Sequence, residues 1–260
     1  MSKPVLAKKL DVNKISYTQM NKGKNGGKVM YLQYEGKPLL LQLPKMIIPF
    51  AASDYEGNKK FSLNFSFDAN NEQHQIVLKA LRDLDEKIIQ DASDNSKEWF
   101  DVSKKRTVEG VRETYQSQIK DPKDDKYQPR LRANLLGDNN GGFRMSLVDM
   151  SGTKVPLTEE NLSETIPGGS KGTAILECMG IWIVQKTLTL TWKVSKMKYE
   201  PGTREDVEFE SDSEDDASVV LEAPHPLDES ESDDDEVDEV EEDVPIKKIV
   251  SRGAKKALVK

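Results

Sequence analysis

The separation of charge along the chain limits which part of it can fold. From Glu205 to Asp243 there are 21 Asp or Glu in 39 residues and no Lys or Arg. Such a stretch repels itself and has few large apolar side chains to bury, so we expect it to be disordered. The sequence therefore predicts a folded body over residues 1–204, an acidic tail over 205–243 and a basic tip over 244–260.

The body and the tip are basic where the tail is acidic. The tip holds six Lys or Arg and no acid, which leaves the body with 32 basic and 25 acidic residues, a net charge of +7. A body of about 200 residues is long enough to bury a substantial core.

Several classes of protein are excluded by composition. Cys178 is the single cysteine, which rules out an intramolecular disulfide and a zinc site with several thiolates. No apolar run approaches the roughly 20 residues that span a bilayer, and the first residues lack the apolar core of a signal peptide. We expect an intracellular, soluble protein.

Alternation of apolar and polar residues predicts most of the body to be β-strand. The predicted strands are Lys28–Tyr34, Pro38–Leu43, Phe61–Phe67, Arg130–Leu135, Phe143–Leu147, Thr173–Val184 and Thr187–Tyr199. The first two flank Glu35, Gly36 and Lys37, which predicts a hairpin. Arg130–Leu135 and Phe143–Leu147 are expected to pair as a second hairpin, with their apolar residues on the inner side.

Helix signals are fewer. Asn70–Asp91 carries an apolar stripe at helical spacing, and Thr158 followed by Glu159, Glu160 and Asn161 indicates a short capped helix. Six or seven strands with one substantial helix predict a mainly β protein, an OB-like antiparallel barrel or sandwich with α insertions. Strand spacing alone leaves a jelly roll open.

No catalytic or metal-binding group emerges from the sequence. His74 is expected on the helix surface and His225 lies in the tail, and neither has a Cys or His at metal-ligand spacing. Cys178 lies in an apolar strand and is expected to be a buried, inert thiol. The loop before Thr173 resembles a phosphate-binding loop, but Lys171 precedes its last glycine and a strand follows. We predict a protein that is not an enzyme and needs no cofactor or metal.

The exposed strand faces predict a binding surface instead. Single-stranded nucleic acid is held by cations along its phosphates and by aromatic rings that stack on its bases. The predicted nucleic-acid-binding residues are Lys28, Tyr31, Tyr34, Lys45, Phe50, Tyr127, Arg130, Arg132, Arg144 and Lys193. The alternative is that these cations only keep a sheet soluble. Trp182 lies in an all-apolar run and Trp192 on the inward face of its strand, so both are assigned to the core.

The acidic tail is predicted to regulate the binding of nucleic acid. Tethered to a basic body, it imitates a polyanion at high effective concentration, competes with nucleic acid for the groove and, once displaced, recruits basic partners. The alternative is a tail that only aids solubility. Four roles stay open for the basic tip. It could be a nuclear localisation signal, contact nucleic acid, bind a partner protein or fold back on the acidic tail.

Several short blocks carry a family resemblance. They include Leu10–Ile15, Tyr31–Tyr34, Leu41–Phe50, Gly180–Val184 and Leu190–Val194. These blocks resemble single-stranded DNA-binding proteins of nucleocytoplasmic large DNA viruses, which are distantly similar to that of short-tailed phages. The resemblance spans roughly residues 8–199 and implies an OB fold. The phage tail ends in an aromatic residue, whereas this chain ends in a basic tip at Lys260.

The expectation from residues and resemblance together is a sequence-tolerant protein that binds single-stranded DNA in viral replication or recombination. It would act in the viral replication compartment, in the nucleus or the cytoplasm, with replication proteins as further partners of the tail. The alternative is a structural or assembly protein of the virion, or an acidic chaperone of basic proteins.

Overall fold

The computed structural model of the chain describes residues 3–23, 27–54, 58–124 and 126–202. The predicted acidic tail, the basic tip and His225 lie outside these residues. Within the described part, no helix has the length and apolarity needed to cross a membrane.

The described residues are mainly β-strand. The strands are β1 (Val5–Leu6), β2 (Ile15–Tyr17), β3 (Asn21–Lys22), β4 (Lys28–Met30), β5 (Leu32–Tyr34), β6 (Lys37–Pro38), β7 (Leu40–Ile47), β8 (Ser53–Asp54), β9 (Phe61–Ser66), β10 (Tyr115–Gln116), β11 (Ile119–Lys120), β12 (Arg130–Leu135), β13 (Ser146–Val148), β14 (Lys171–Val184) and β15 (Thr187–Glu200). The α-helices are α1 (Glu72–Asp94), α2 (Ser96–Phe100), α3 (Val108–Arg112) and α4 (Leu162–Thr165), and two 3-10 turns cover Ala7–Lys9 and Val12–Lys14.

Five of these strands close into a barrel. Strand β7 pairs with β9, β9 with β12, β12 with β15, β15 with β14, and β14 returns to β7. All of these pairs are antiparallel except β12–β15, which is parallel. A five-stranded barrel closed in the order first, second, third, fifth, fourth is the OB arrangement. The predicted OB-like barrel is confirmed, although its sheet is mixed.

The barrel interior is filled by the apolar face of each strand. Leu63 and Phe65 of β9, Leu131 and Ala133 of β12, and Trp192 of β15 are each 1% exposed or less. Their neighbours along each strand point outward because side chains alternate in a strand. The alternation predicted for Phe61–Phe67, Arg130–Leu135 and Thr187–Tyr199 is therefore confirmed.

The long β14–β15 hairpin carries a bend at Gly180. Its φ of +103° is unfavourable for other residues, and a Cβ built there would lie 2.6 Å from the Met30 carbonyl oxygen. The register shifts between Cys178 and Gly180, which is where β14 leaves β7 and begins to pair with β4. Glycine at this position lets the two backbones approach.

The predicted long helix is present as α1. Asn71 caps it by accepting from the backbone amides of Gln73 and His74. Its apolar stripe, including Leu81, Leu84 and Ile88, is buried against the core. The short helix predicted at Thr158–Asn161 begins later, as α4, and Thr158 and Asn161 instead bond each other's backbone amides ahead of it.

Two local predictions are wrong. His74 is 3% exposed, not on the helix surface, because its ring bridges the segment before α1 and strand β7: Nδ1 accepts from the Asp68 amide at 3.1 Å and Nε2 lies 2.9 Å from the Lys45 carbonyl oxygen. Residues 143–147 do not form a hairpin with β12. Instead β13 pairs parallel to β15, because the chain turns away after an isolated bridge between Gly137 and Phe143.

A buried carboxylate joins α1 to the strands beneath it. Asp85, 5% exposed, accepts from the Tyr115 hydroxyl at 2.5 Å, the Ser117 hydroxyl at 2.7 Å and the Gln118 amide at 2.6 Å. Gln118 in turn accepts from the indole of Trp192 at 2.7 Å. Burial is the largest influence on this group and raises the pKa of Asp85 above its ordinary 3.8, against the opposing effect of the three donors.

Replacing Asp85 by Asn should change how stability depends on pH. A carboxyl whose pKa is higher in the folded than in the unfolded state contributes fully below the unfolded pKa, and that contribution is lost as the pH rises through the folded pKa. The neutral Asn lacks this loss. The melting temperature of Asp85→Asn relative to the parent protein should therefore improve as the pH is raised from below 3.8 towards neutrality. A difference that stays constant across a pH series of thermal melts would contradict this.

Candidate nucleic-acid interface

The outer side of β9, β12, β15 and β14 is a continuous polar face. Arg130 lies opposite Ser66, Arg132 opposite Asn64, and Asn134 opposite both Ser62 and Lys193. Residues directly opposite each other in paired strands project on the same side. The same face continues onto β14, where Trp182 lies opposite Thr189. In OB barrels the face of the second and third strands, here β9 and β12, binds oligonucleotides.

The first cleft of this face combines two rings with a cation. Phe50 is 51% and Tyr127 65% exposed, and the guanidinium of Arg130 lies 5.1 Å from the centre of the Phe50 ring. Together with Lys123 and Lys126 they line a cleft of about 420 Å³. Phe50 belongs to the loop between the first two barrel strands, a loop that contributes to ligand binding in OB folds. We call this the Phe50 cleft.

The middle of the face is polar and cationic. Arg132 of β12, Lys120 of β11 and Thr191 of β15 line a cleft of about 340 Å³, with Asn134 between them. The Arg132 Nε donates to the Ser62 hydroxyl at 2.9 Å, which directs the guanidinium across β9. The middle cleft adjoins the Phe50 cleft along β12, because residues 130 and 132 are successive outward positions of one strand.

A third cleft lies beyond β15 and also carries two rings. Tyr31 is 45% and Trp182 40% exposed, and together with Lys193 and Glu177 they line about 450 Å³. The Trp182 indole donates to the Thr191 hydroxyl at 3.1 Å, which fixes its orientation and joins this cleft to the middle one. We call this the Trp182 cleft.

The structure brings six of the ten predicted binding residues onto this face. They are Tyr31, Phe50, Tyr127, Arg130, Arg132 and Lys193. Whether they contact nucleic acid stays a prediction, but their arrangement is that of rings at both ends of a face with guanidinium groups between them.

The other four predicted residues lie elsewhere. Lys28 is 6% exposed, and its ammonium donates to the Trp99 carbonyl at 2.9 Å and pairs with Asp101 at 2.8 Å. Tyr34 belongs to the separate sheet of β2, β5 and β6, under the ammonium of Lys14. Lys45 pairs with Glu200. Arg144 is exposed but follows the turn after β12, outside its ladder.

The predicted burial of Trp182 is wrong. The residues Ile181 to Val184 are all apolar, and on the sequence alone this predicts that the whole segment is buried. The strand nevertheless alternates: Ile181 and Ile183 are at most 4% exposed, while Trp182 is 40% and Val184 51% exposed. The alternation of its partner strand β15, with Thr189 and Thr191 facing out, was the signal that places Trp182 outside. Trp192 is buried as predicted.

The buried thiol of Cys178 and the placement of the described metal-ligating side chains bear on the chemistry of this region. Cys178 is buried, and desolvation raises the pKa of its thiol to about 12, so that the thiol stays protonated at neutral pH. Across the described ranges, no three His, Cys, Asp or Glu side chains converge as they would around a metal ion.

Comparison with known proteins gives only distant likenesses. No family model matches the chain, and no curated protein matches it either. A single-stranded DNA-binding protein from bacteriophage Enc34, solved in complex with ssDNA, is 11% identical with a TM-score of 0.43, covering 71% of this chain and 94% of that one. A second structure of the single-stranded DNA-binding protein from bacteriophage Enc34 is 14% identical with a TM-score of 0.43, covering 77% of this chain and 98% of that one. The single-stranded DNA-binding protein gp2.5 of bacteriophage T7 is 12% identical with a TM-score of 0.41, covering 65% and 96%.

The three tryptophans should differ in access to solvent. Trp182 is 40% exposed, whereas Trp99 and Trp192 are 6% and 1% exposed. Acrylamide should therefore quench the fluorescence of Trp182 most, and Trp182→Phe should remove most of the quenchable signal while changing the free energy of unfolding by no more than about 0.5 kcal/mol. The matched control, Trp99→Phe, should leave the quenchable signal in place. A quenching curve unaffected by Trp182→Phe would show that this ring is buried.

Proposed function

We propose that the chain is a non-catalytic, sequence-tolerant protein that binds single-stranded DNA along the face of β9, β12, β15 and β14. The observation that carries the proposal is the order of groups on that face: exposed rings at both ends and arginines between them. Each base stacked on a ring is worth about 1–3 kcal/mol, and cations along the backbone supply the remaining affinity.

The cations of the face are concentrated on one side. Lys120, Lys123, Lys126, Arg130 and Arg132 line the Phe50 cleft and the middle cleft. If these five neutralise about five phosphates, the logarithm of the binding constant should fall with the logarithm of salt concentration at a slope of about −3.5. Among the described residues neither cleft is lined by an acidic side chain, although Lys126 pairs with the exposed Asp124 at 3.8 Å, and this supports a role for this half in holding the phosphates.

The biological part of the proposal comes from the sequence blocks described above. By their resemblance we infer a role in viral DNA replication or recombination, with the acidic tail recruiting replication proteins or basic partners when DNA displaces it.

Reversing two charges on β12 should weaken binding. The double variant Arg130→Glu, Arg132→Glu should lose at least about tenfold in affinity for oligo-dT at low salt, with a salt slope shallower by about 1.4, because two phosphate contacts are lost. Fluorescence anisotropy at several salt concentrations measures both quantities. The matched control, Lys8→Glu with Lys9→Glu, makes the same change of net charge at the 3-10 turn beside α1. Equal affinities for the two double variants would rule out β12 as part of the groove.

Gly202, the last described residue, lies close to the Phe50 cleft. The Gly202 amide donates to the Ser170 hydroxyl at 3.2 Å, and a Cβ on neighbouring Gly168 would lie 3.6 Å from the Cα of Phe50. By the tethering argument, a polyanion attached through Gly202 would have a high effective concentration at the cationic half of the face. This placement supports the proposal that the tail competes with DNA.

Removing residues 203–260 should tighten binding at low salt. The truncated chain keeps every strand of the barrel and the Gly202–Ser170 bond, but lacks the competing carboxylates. Its advantage for oligo-dT should shrink as salt rises, since screening weakens the competitor. A chain cut after Asp243 keeps the acidic run and should not gain affinity. Unchanged or weaker binding by the chain ending at Gly202 would refute the competitor role.

A further inference from the structure

The proposed DNA-binding face carries an acidic side chain, Glu177. Among the described residues that line the three clefts it is the sole carboxylate. It lies opposite Lys193 in the β14–β15 pair, and its Oε1 is 3.0 Å from the Lys193 ammonium. A carboxylate repels phosphate, and it also neutralises the cation beside it. The Trp182 cleft is therefore poorly suited to hold the DNA backbone.

The same cleft is well suited to hold a base. The Trp182 indole is fixed by its bond to Thr191. The Tyr31 ring lies against Gly180, where a Cβ would come within 3.3 Å of its Cδ1, and the Tyr31 amide donates to the Thr18 hydroxyl at 3.0 Å. Both rings are exposed and held in place, which are the conditions for stacking an unpaired base.

The ion pair presents a defined order of hydrogen-bonding groups. Lys193 offers donors, and the two oxygens of Glu177 offer acceptors beside them. The side chains are partly shielded, at 29% and 36% exposure, so their hydrogen bonds are stronger than those of fully solvated groups. Donor, acceptor, acceptor is the order that the pairing edge of cytosine presents to guanine. The pairing edge of guanine is complementary, with O6 as acceptor and N1 and N2 as donors.

We propose that the Trp182 cleft is a base-recognition subsite that prefers guanine, with Glu177 accepting from N1 and N2 and Lys193 donating to O6. Thymine places its O2 acceptor against a Glu177 oxygen and is disfavoured there. This inference rests on the proposed function, since it assigns a base preference to one end of the same face. The remainder of the face, where the cations lie, stays tolerant of sequence.

The test compares three oligonucleotides of equal length by fluorescence anisotropy with the full chain. One is oligo-dT, one carries guanine at every third position, and one carries inosine at those positions, which keeps O6 and N1 but lacks the N2 amine. The guanine oligonucleotide should bind about fivefold tighter than oligo-dT, with inosine between them, as expected for a two-point contact in a partly solvated site.

Glu177→Gln separates recognition from a structural role. It keeps the size of the side chain but removes the charge and one acceptor. The ratio of guanine to thymine affinity should fall to about one, while binding to oligo-dT strengthens and its salt slope steepens by about 0.7, because Lys193 becomes available to a phosphate. The control Glu86→Gln makes the same change in an ion pair on α1, with Arg112, and should leave the ratio and the slope unchanged.

The outcomes distinguish the two proposals. Binding of all three oligonucleotides with equal affinity, or a guanine preference that survives Glu177→Gln, would overturn the subsite and leave the proposed function standing. Failure to bind any of them would overturn the proposed function and the subsite with it.

Discussion

Closure of the barrel is the constraint from which the candidate site follows. Strand β14 pairs with β7 on one side and β15 on the other, and β15 returns in parallel to β12. Once five strands close, their inward side chains must be apolar, because no water is available to them. Every polar or charged residue of those strands is then directed outward. The arginines of β12 and the threonines of β15 share one face because their apolar neighbours share one core.

Hydrogen bonds inside the core connect that face to helix α1. Trp192 is buried directly beneath the face, and its indole donates to Gln118, which also bonds Asp85 of α1. A buried carboxylate is costly unless its oxygens are fully bonded, and here three side chains donate to them. The long helix therefore holds β15 in position through specific hydrogen bonds as well as through its apolar stripe.

The sequence predicts what depends on neighbours along the chain and misses what depends on distant ones. Alternation located the long strands and the outward position of Arg130 and Arg132, because the period of two is local. The burial of Lys28 depends on carbonyl groups about 70 residues away, and that of His74 on Lys45 across the fold. The pairing of β13 with β15 is likewise set by where the chain turns after β12. None of these partners leaves a periodic signal.

The two halves of the face differ in electrostatic charge, and the proposed binding at each half should therefore depend differently on salt. Around β11 and β12 the described residues that line the clefts include five cations and no acid, with Lys126 paired to a nearby carboxylate, whereas on the β14 side Glu177 balances the charge of Lys193. Attraction of a polyanion is screened by salt, but stacking and hydrogen bonds to a base are much less so. If this face binds single-stranded DNA as proposed, salt concentration should govern the binding of the backbone at one end and base identity the contact at the other, and the two can vary independently.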